Sequence, residues 1–334
     1  MAIVLGGALV AGACGGAGNV TTAGNEARAE AGAAEAGTAE AGAAEAGAAE
    51  DASAPEGGLA SAEAGTGSPA LPVLHGVTVD DVSNLSGIVA SLAALPHEPT
   101  ARIVFDEGQP PSYYAQPVAA VHGVAHVLGA ILDSQYVTTV SVPQYAQRTS
   151  SYLAALGGDV DVWEVGNEIN GNWLGATSDV VAKMTGAFDL VKAAGGRTEL
   201  TLYGCSDSGA EYDMITWVQA NVPARLLTGL DYVLVSYYEG DCGAPRTDWT
   251  GAFQQLRALF PTAGLGFGEV GYVDGSGNDI APADEASASS YLQRYYGMQV
   301  PVPGYVGGHF WWYFAEDMVP SSKPLFGVLS AAMQ

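Results

Sequence analysis

Basic side chains are scarce in this sequence, and their scarcity excludes whole classes of partner. Only 11 of the 334 residues are Lys or Arg, against 36 Asp and Glu, so the formal net charge is -25. Such a chain repels polyanions, which excludes charge-driven binding of nucleic acid or of an anionic membrane surface. The acidic surface suits a neutral or cationic substrate, although acidity can also serve solubility alone.

Cysteine and histidine, the usual nitrogen and sulfur ligands of metals, are few as well. The three cysteines lack the spacing of a zinc site. Among the five histidines, only His122 and His126 have a spacing that would place them on one helix face. The metalloprotease pattern requires a glutamate directly after the first histidine, and Gly123 stands there. We therefore expect no metal site and no cofactor.

The chain has no long hydrophobic run near its start, since the apolar stretch Ala2–Val10 is too short to span a bilayer. Small residues follow it and precede Cys14, as in the lipobox of bacterial lipoproteins, where the cysteine is lipidated after cleavage. Ala11 stands where leucine is usual. We predict an export signal over residues 1–14, with lipidated Cys14 as a membrane tether. A plain secretory signal and a tail without an address are the alternatives.

Residues 15–70 form a low-complexity segment in which glutamate recurs at every fifth position from Glu30 to Glu50. This period matches neither a helix face nor a strand face, and each glycine costs about 1 kcal/mol relative to alanine in a helix. The segment cannot bury enough surface to offset its chain entropy. We therefore predict a disordered, flexible acidic linker, with repeat expansion without a role as the alternative.

From residue 71 to residue 334, strand-like and helix-like stretches alternate. Strands are predicted at Val73–Val77, Arg102–Phe105, Leu128–Leu132, Val160–Val165, Glu199–Tyr203, Tyr232–Ser236, Gly264–Gly268 and Gly308–Tyr313. Helices are predicted at Leu85–Leu95, Gln116–His126, Tyr145–Leu156, Asp179–Ala194, Glu211–Asn221, Trp249–Leu259, Asp284–Tyr296 and Leu325–Met333. Eight such units in about 260 residues match a closed (β/α)8 TIM barrel. A doubly wound sheet is the alternative, but the glycine-rich phosphate loop expected after its first strand is missing.

The chemistry of such a barrel lies just beyond the carboxyl ends of its strands. Asn167 and Glu168 follow the fourth predicted strand, Glu269 follows the seventh, and Asp106 follows the second. A carboxyl group beside buried strands meets a low dielectric, which can raise its pKa into the range of a general acid. For each acid alone, a solvated loop end is the alternative. Because all of these acids follow the carboxyl ends of strands, they lie at one face of the barrel, which favours a functional site.

Two of these stretches resemble the signature of clan A glycoside hydrolases. They are Trp-Glu-Val-Gly-Asn-Glu at Trp163–Glu168 and Gly-Phe-Gly-Glu at Gly266–Glu269, and the resemblance covers about Leu71–Gln334. It implies a (β/α)8 enzyme that cleaves O-glycosidic bonds with retention of configuration. Carried over by position, Glu168 is the acid/base and Glu269 is the nucleophile.

The resemblance also implies the residues around this pair. Asn167 would bind the hydroxyl next to the anomeric carbon. Tyr237 or Tyr238 would be the strand-six tyrosine that hydrogen-bonds the nucleophile. Trp311 or Trp312 would be the strand-eight tryptophan that forms the floor of the sugar site.

Arg102 lies on the second strand, where the clan often has an arginine near the nucleophile, and its early position in the strand predicts a deep location. Val235-Ser236 stands where many members carry a histidine, so no family within the clan is identified. Glu164, in the middle of the fourth strand, is interpreted as structural and paired with a cation.

Physical reasoning supports a pair of carboxyl groups. Retaining hydrolysis needs two of them about 5–5.5 Å apart, and strands four and seven lie nearly opposite in an eight-stranded barrel. Cys205 and Cys242 follow neighbouring strands, so they either form a disulfide or remain two free thiols. We expect a monomeric, exported glycosidase, secreted or lipid-anchored, that acts on a polysaccharide or oligosaccharide. The alternatives are an inactive glycan-binding barrel at the cell surface and a different barrel enzyme, such as a metal-dependent hydrolase or lyase.

The composition of the linker generates a first prediction. Deleting Gly15 to Pro69 should leave the melting temperature and the activity in solution nearly unchanged, because this segment cannot form a core of its own. Thermal unfolding of the full chain and of the deletion variant would measure this. A drop of several degrees on deletion would show instead that the linker packs on the barrel.

Overall fold

The computed structural model describes residues 72–205, 209–243, 245–273 and 284–334. The predicted export signal and the predicted linker lie outside these residues. The described chain forms a closed barrel of eight parallel strands in which each strand bonds to the next and the eighth bonds to the first. The prediction of a (β/α)8 TIM barrel is confirmed, and the doubly wound alternative is wrong because the sheet closes.

The strands are β1 (Leu74–Val79), β2 (Thr100–Val104), β3 (His126–Ala130), β4 (Val162–Glu164), β5 (Arg197–Tyr203), β6 (Tyr232–Tyr237), β7 (Gly264–Val270) and β8 (Tyr305–Trp311). The helices are α1 (Leu85–Ala93), α2 (Pro111–His122), α3 (Val142–Leu156), α4 (Thr177–Ala193), α5 (Met214–Asn221), α6 (Ala224–Gly229), α7 (Trp249–Leu259), α8 (Glu285–Tyr296), α9 (Phe314–Met318) and α10 (Pro324–Ala332). Short 3-10 helices cover Ser134–Thr139 and Ala210–Tyr212. Within the described ranges, no helix combines the length and the apolar character needed to cross a bilayer.

The second helix and the third strand begin earlier than the sequence predicts. α2 starts at Pro111 because the fixed φ of proline suits the first turn of a helix. It ends at His122, and His126 is already the first residue of β3. The predicted helix Gln116–His126 is therefore wrong at both ends, and His122 and His126 do not share a helix face.

The predicted helix Glu211–Asn221 divides at Asp213. The carboxylate of Asp213 caps α5 by accepting hydrogen bonds from the backbone N–H groups of Ile215 and Thr216. The short helices α6 and α9 have no counterpart in the prediction, because helices of 6 and 5 residues show too little periodicity to be recognised.

The last strand also lies earlier than predicted, at Tyr305–Trp311. Gly307 and Gly308 have φ values of 76° and 88°, in the left-handed region that glycine adopts readily. The pairing of β7 with β8 shifts register between Leu265 and Gly266, next to these glycines. The glycines conceal the strand in the sequence, since they interrupt its run of apolar residues.

Side chains alternate between the inside and the outside of the barrel, as the pleat of a strand requires. The floor of the interior is an apolar cluster, formed by Leu74, Leu128, Val162, Tyr232, Leu234, Val306 and Phe310. The outward side chains pack with the helices in a second, much larger cluster. Above the apolar floor the interior becomes polar, and this polar layer carries the candidate site.

A disulfide joins two neighbouring loops at the carboxyl ends of the strands. Cys205 follows β5 and Cys242 follows β6, and their Cα atoms are 5.4 Å apart. Arg246 reinforces the same junction, because its Nε donates to the carbonyl oxygen of Gly204 at 3.3 Å. Its backbone N–H donates to the hydroxyl oxygen of Tyr237 at 2.6 Å. These contacts hold the β5 and β6 ends of the mouth together.

We predict that denatured, unreduced protein lacking residues 1–14 contains no free thiol. The two cysteines are 37 positions apart, and the chain-entropy model gives about 4 kcal/mol for closing a loop of this size. Reduction should therefore lower the free energy of unfolding by about 2–4 kcal/mol, measured by urea unfolding with and without reductant. A variant with both cysteines changed to serine is the control and should not respond to reductant. Finding two free thiols before reduction would exclude the bond.

Candidate active site

Glu168 lies in the turn that follows β4. Its φ is 49°, a left-handed conformation that costs a side-chain-bearing residue about 1 kcal/mol or more. The turn is held from β5: the backbone N–H of Thr201 donates to the carbonyl oxygen of Gly166 at 3.0 Å. Asn170 adds two contacts with Tyr203, donating to its carbonyl oxygen at 2.9 Å and accepting from its N–H at 2.7 Å. These bonds maintain the strained turn and direct Glu168 into the barrel mouth.

The carboxyl group of Glu168 lies between two serine hydroxyls. Ser134, after β3, donates to its Oε2 at 2.7 Å, and Ser236, on β6, donates to its Oε1 at 2.7 Å. Burial raises the pKa of Glu168 to about 7, and the two serine hydroxyls oppose this shift. Near neutral pH this carboxyl group can therefore both hold and release a proton.

A bulge in β7 turns Glu269 into the barrel. Val235 pairs with Phe267, but the next residue, Ser236, pairs with Glu269, so Gly268 is an extra residue in the ladder. A Cβ on Gly268 would meet Leu234 and Thr201, both interior residues, so Gly268 faces inward as well. Strict alternation would have directed Glu269 outward, and the bulge reverses this.

Glu269 contacts a phenol and a guanidinium group. Tyr238 donates its hydroxyl proton to Oε1 at 2.8 Å, and Nη1 of Arg102 lies 3.2 Å from Oε2. Burial raises the pKa of Glu269 well above its ordinary value, and the charge of Glu168 adds to this shift, whereas Arg102 and Tyr238 lower it. Burial also raises the pKa of Tyr238, and so does the charge of Glu269, which keeps the phenol a donor.

The structure brings Glu168 and Glu269 to the same place. Ser236 links them, because it stands beside Glu269 in the sheet while its hydroxyl bonds to Glu168. The charge of Glu168 also acts on the pKa of Glu269. The two predicted glutamates therefore form one electrostatically coupled pair at the mouth.

Arg102 is buried and reaches Glu269. It is the third of the five residues of β2, whereas the predicted strand begins at Arg102. On its other side, Nε donates to Oε2 of Glu164 at 2.7 Å and Nη2 donates to Oε1 at 3.1 Å. Burial alone would lower the pKa of Arg102, but Glu164 and Glu269 raise it above its ordinary value. Glu164, interpreted from the sequence as paired with a cation, is the partner of Arg102.

Asn167 belongs to the same polar layer and is 2% exposed. Its Nδ2 donates to Oε1 of Glu164 at 2.9 Å, and its Oδ1 accepts from the backbone N–H of Ser134 at 2.8 Å. Both ends of the amide are therefore oriented by the protein, beside Glu168 in the chain.

Strand alternation selects one residue from each aromatic pair. Tyr238 contacts Glu269, whereas Tyr237 faces outward, where its ring packs edge-on against Trp249 at 4.7 Å. The ring of Trp312 lies 5.4 Å from the guanidinium carbon of Arg102. Trp311 instead belongs to the outer cluster. The candidate roles of Tyr237 and Trp311 as substrate-binding residues do not agree with these positions.

Asp106 is exposed and accepts a hydrogen bond at 3.0 Å from the hydroxyl of Tyr114, a residue of the outer cluster. Its own backbone N–H donates to the same hydroxyl oxygen at 2.8 Å. These contacts direct Asp106 toward the helices rather than toward the carboxyl pair, because both hold it to the outer side of β2.

Sequence reasoning missed the two serines that hold Glu168. Ser236 is visible only as the residue that stands where many clan members carry a histidine. Ser134 belongs to a 3-10 helix after β3 that the sequence does not predict, so nothing directs attention to it. In the part of the chain that the structure describes, no group of His, Cys, Asp or Glu side chains is arranged to hold a metal ion.

Comparison with models of known protein families gives no match, and neither does comparison with curated protein sequences. Solved structures do match. The chain is similar to Saccharomyces cerevisiae Gas2p in complex with laminaritriose and laminaritetraose, with a TM-score of 0.50 and 16% identity, covering 79% of this chain and 65% of that one. It is also similar to a GH128 (subgroup I) endo-beta-1,3-glucanase from Amycolatopsis mediterranei in complex with laminaritriose, with a TM-score of 0.49 and 16% identity, covering 77% and 98%.

The chain thus spans 65% of the length of Gas2p. At these identities the likeness concerns the fold alone. At that level it agrees with the resemblance to clan A glycoside hydrolases, whose barrel this chain has.

Proposed function

We propose that this protein is a retaining glycoside hydrolase that cleaves O-glycosidic bonds by double displacement. The observation that carries the proposal is the unequal surroundings of one buried carboxyl pair. Glu168 contacts two neutral hydroxyls, whereas Glu269 contacts a guanidinium group and a phenol. Two carboxyl groups at one site with different proton affinities are what acid-assisted displacement at a sugar carbon requires.

Charge assigns the two roles. Arg102 is in ionic contact with Glu269 and not with Glu168, so the first proton to leave the pair comes from Glu269. The resulting charge on Glu269 then keeps the proton on Glu168. Glu269 attacks the anomeric carbon while Glu168 protonates the departing oxygen, and Glu168 next deprotonates the water that releases the sugar.

One atom of Arg102 and one atom of the proposed nucleophile, Glu269, support the binding of a polar substrate. Nη1 of Arg102 and Oε2 of Glu269 are buried, and neither has a hydrogen-bond partner among the described residues. They lie 3.2 Å apart, so one sugar hydroxyl could accept from the first and donate to the second. Trp312 would offer its ring as an apolar floor beside them, and Asn167 would bind the neighbouring hydroxyl.

The substrate class is a neutral polysaccharide or oligosaccharide, consistent with the excess of acidic side chains. The laminari-oligosaccharide complex of Gas2p makes laminari-oligosaccharides the first substrates to test. Glucan, xylan, mannan and galactan with matching aryl glycosides form the test panel. Hydrolysis of none of them by the folded protein would favour the inactive glycan-binding alternative.

The site is proposed to work outside the cell in a monomeric protein. The disulfide between Cys205 and Cys242 supports export, because such bonds persist in oxidising compartments. Lipidation of Cys14 would then tether the barrel to a membrane through the acidic linker.

The assigned roles predict different behaviour for two variants on an aryl glycoside with an acidic phenol. Glu168→Ala should still form the glycosyl-enzyme, because this leaving group needs little protonation, but it should hydrolyse the intermediate slowly. A burst of phenol should appear, and azide should restore turnover with retained configuration. With Glu269→Ala, any azide product should be inverted, because azide takes the place of the nucleophile.

The stereochemistry is read by NMR of the azide products. Glu107→Ala serves as the control, since Glu107 is exposed after β2 and its side chain forms no hydrogen bond with the described residues, while its backbone carbonyl accepts from Arg148. Identical stereochemistry from the two variants, or no azide rescue of either while both remain folded, would show the assignment to be wrong.

The two serines predict a shift in the pH profile. Glu168 must be protonated to act as an acid, so activity should fall as the pH rises through its pKa of about 7. Ser134→Ala and Ser236→Ala each remove a donor to the ionised form, which raises the pKa of Glu168. A hydrogen bond to a charged group contributes about 1.5 kcal/mol, so the basic limb of kcat/KM should move up by about one pH unit.

The control for this shift is Ser150→Ala, because Ser150 is an exposed residue of α3 whose hydroxyl bonds only within its own helix. A basic limb that stays in place, or moves to lower pH, in both site variants would contradict the role of Glu168 as the acid.

A further inference from the structure

Beneath the carboxyl pair, the polar layer contains two more glutamates that the proposed reaction does not use. Glu164 and Glu199 are each 1% exposed. Glu164 accepts two hydrogen bonds from Arg102, at 2.7 and 3.1 Å, and one from Nδ2 of Asn167 at 2.9 Å. The hydroxyl of Thr201 lies 2.7 Å from its Oε1 and is a fourth donor. Glu164 is therefore surrounded by donors and acts as an acceptor.

Thr201 connects Glu164 with Glu199. Its hydroxyl oxygen lies 3.0 Å from Oε1 of Glu199 and 3.3 Å from Oε2, as well as 2.7 Å from Glu164. A hydroxyl has one proton to donate and lone pairs to accept. Because the shorter contact takes its proton to Glu164, the contact with Glu199 needs a proton that Glu199 supplies.

The surroundings of Glu199 agree with a protonated acid. Burial raises the pKa of Glu199 well above its ordinary value, and the charge of Glu164 raises it further. Arg102, Thr201 and the backbone N–H of Leu234 oppose the shift, but Arg102 directs its own hydrogen bonds to Glu164. No cation among the described residues forms a salt bridge with Glu199.

Charge balance in the interior depends on this proton. Arg102 is the one cation in ionic contact with the interior carboxylates of the described chain, and it already faces Glu164 and Glu269. A third carboxylate beside Glu164 would draw the Thr201 proton away from Glu164. It would also add a negative charge near Arg102, raising the pKa of Glu269, which the proposed reaction needs in its ionised form.

We propose that Glu199 is a neutral, proton-donating positioning residue: it donates to Thr201, Thr201 donates to Glu164, and Glu164 holds Arg102 against Glu269. The proposal rests on the proposed function only where it assigns a nucleophile to Glu269. The direction of the two hydrogen bonds, from Glu199 to Thr201 and from Thr201 to Glu164, rests on the distances alone.

Infrared difference spectroscopy tests the proton directly and needs no substrate. Wild type minus Glu199→Gln, recorded above the pKa of Glu168, should show the carbonyl stretch of one protonated carboxylic acid, with a small shift in D2O. In Thr201→Val the band should persist but move to higher wavenumber, because the acid loses its acceptor. Thr198→Val is the matched control: Thr198 lies on the same strand, but its hydroxyl bonds to Asp231 at 3.1 Å, and the band should stay in place.

Absence of the carbonyl band from the difference spectrum would overturn the proposal, since Glu199 would then be ionised. A band that responds equally to Thr198→Val and Thr201→Val would overturn the assigned hydrogen bond. If the band behaves as expected in a protein without glycosidase activity, the proton order holds and the proposed function fails, so the two failures are distinguishable.

The pH profile gives a second test, which separates a neutral Glu199 from an ionised one. Glu199→Gln replaces one neutral donor by another, so the acidic limb of kcat/KM should not move. An ionised Glu199 would give a different result, because its loss would lower the pKa of Glu269 and shift that limb to lower pH. Thr201→Val should lower kcat about three- to tenfold with KM nearly unchanged, since Arg102 is less firmly held against Glu269, whereas Thr198→Val should leave kcat unchanged.

Discussion

The paired charges inside this barrel depend on one buried guanidinium group. Arg102 is 1% exposed and forms ion pairs with Glu164 below and Glu269 above. A buried charge is costly unless it is paired, and each of these carboxylates would be costly without the arginine. In the proposed reaction this pairing makes Glu269 lose its proton before Glu168, because Glu168 contacts only the two serine hydroxyls. The proposed difference in proton affinity between the two glutamates thus follows from the position of a single cation.

The backbone contributes two local irregularities that make this arrangement possible. Glu168 adopts a left-handed conformation at φ 49°, and Glu269 follows a bulge at Gly268. Both features direct a carboxyl group toward the mouth where regular geometry would direct it elsewhere. Their cost is offset by bonds from the surrounding strands, such as those that hold the Gly166 turn to β5. The surrounding strands therefore hold the strained residues in place, as is common in active sites.

The loops around the mouth are held by a few long-range contacts rather than by packing alone. Arg148 donates to the backbone carbonyls of Phe105 and Asp106 at 2.8 and 2.7 Å and to that of Ile131 at 2.7 Å, so one side chain of α3 ties together the ends of β2 and β3. On the opposite side, the disulfide between Cys205 and Cys242 joins the ends of β5 and β6. Because the serines that contact Glu168 lie after β3 and on β6, these contacts also preserve the geometry of the candidate acid.

The barrel, the strand order and the glutamates at the ends of β4 and β7 could be predicted from the sequence, because strand periodicity and polar residues at strand ends are local signals. Strand alternation, a property of the chain itself, requires one of Trp311 and Trp312 to face away from the interior, whereas Tyr237 and Tyr238 were simply alternatives. Only the tertiary structure decided that Tyr237 and Trp311 are the residues that face outward, because a bulge or a register shift changes which residue faces inward without any local mark. The same holds for Ser134, for Ser236 and for the hydrogen bonds that connect Glu199 with Glu164 through Thr201. Their partners lie on other strands, so the contacts that define them exist only once the barrel has closed.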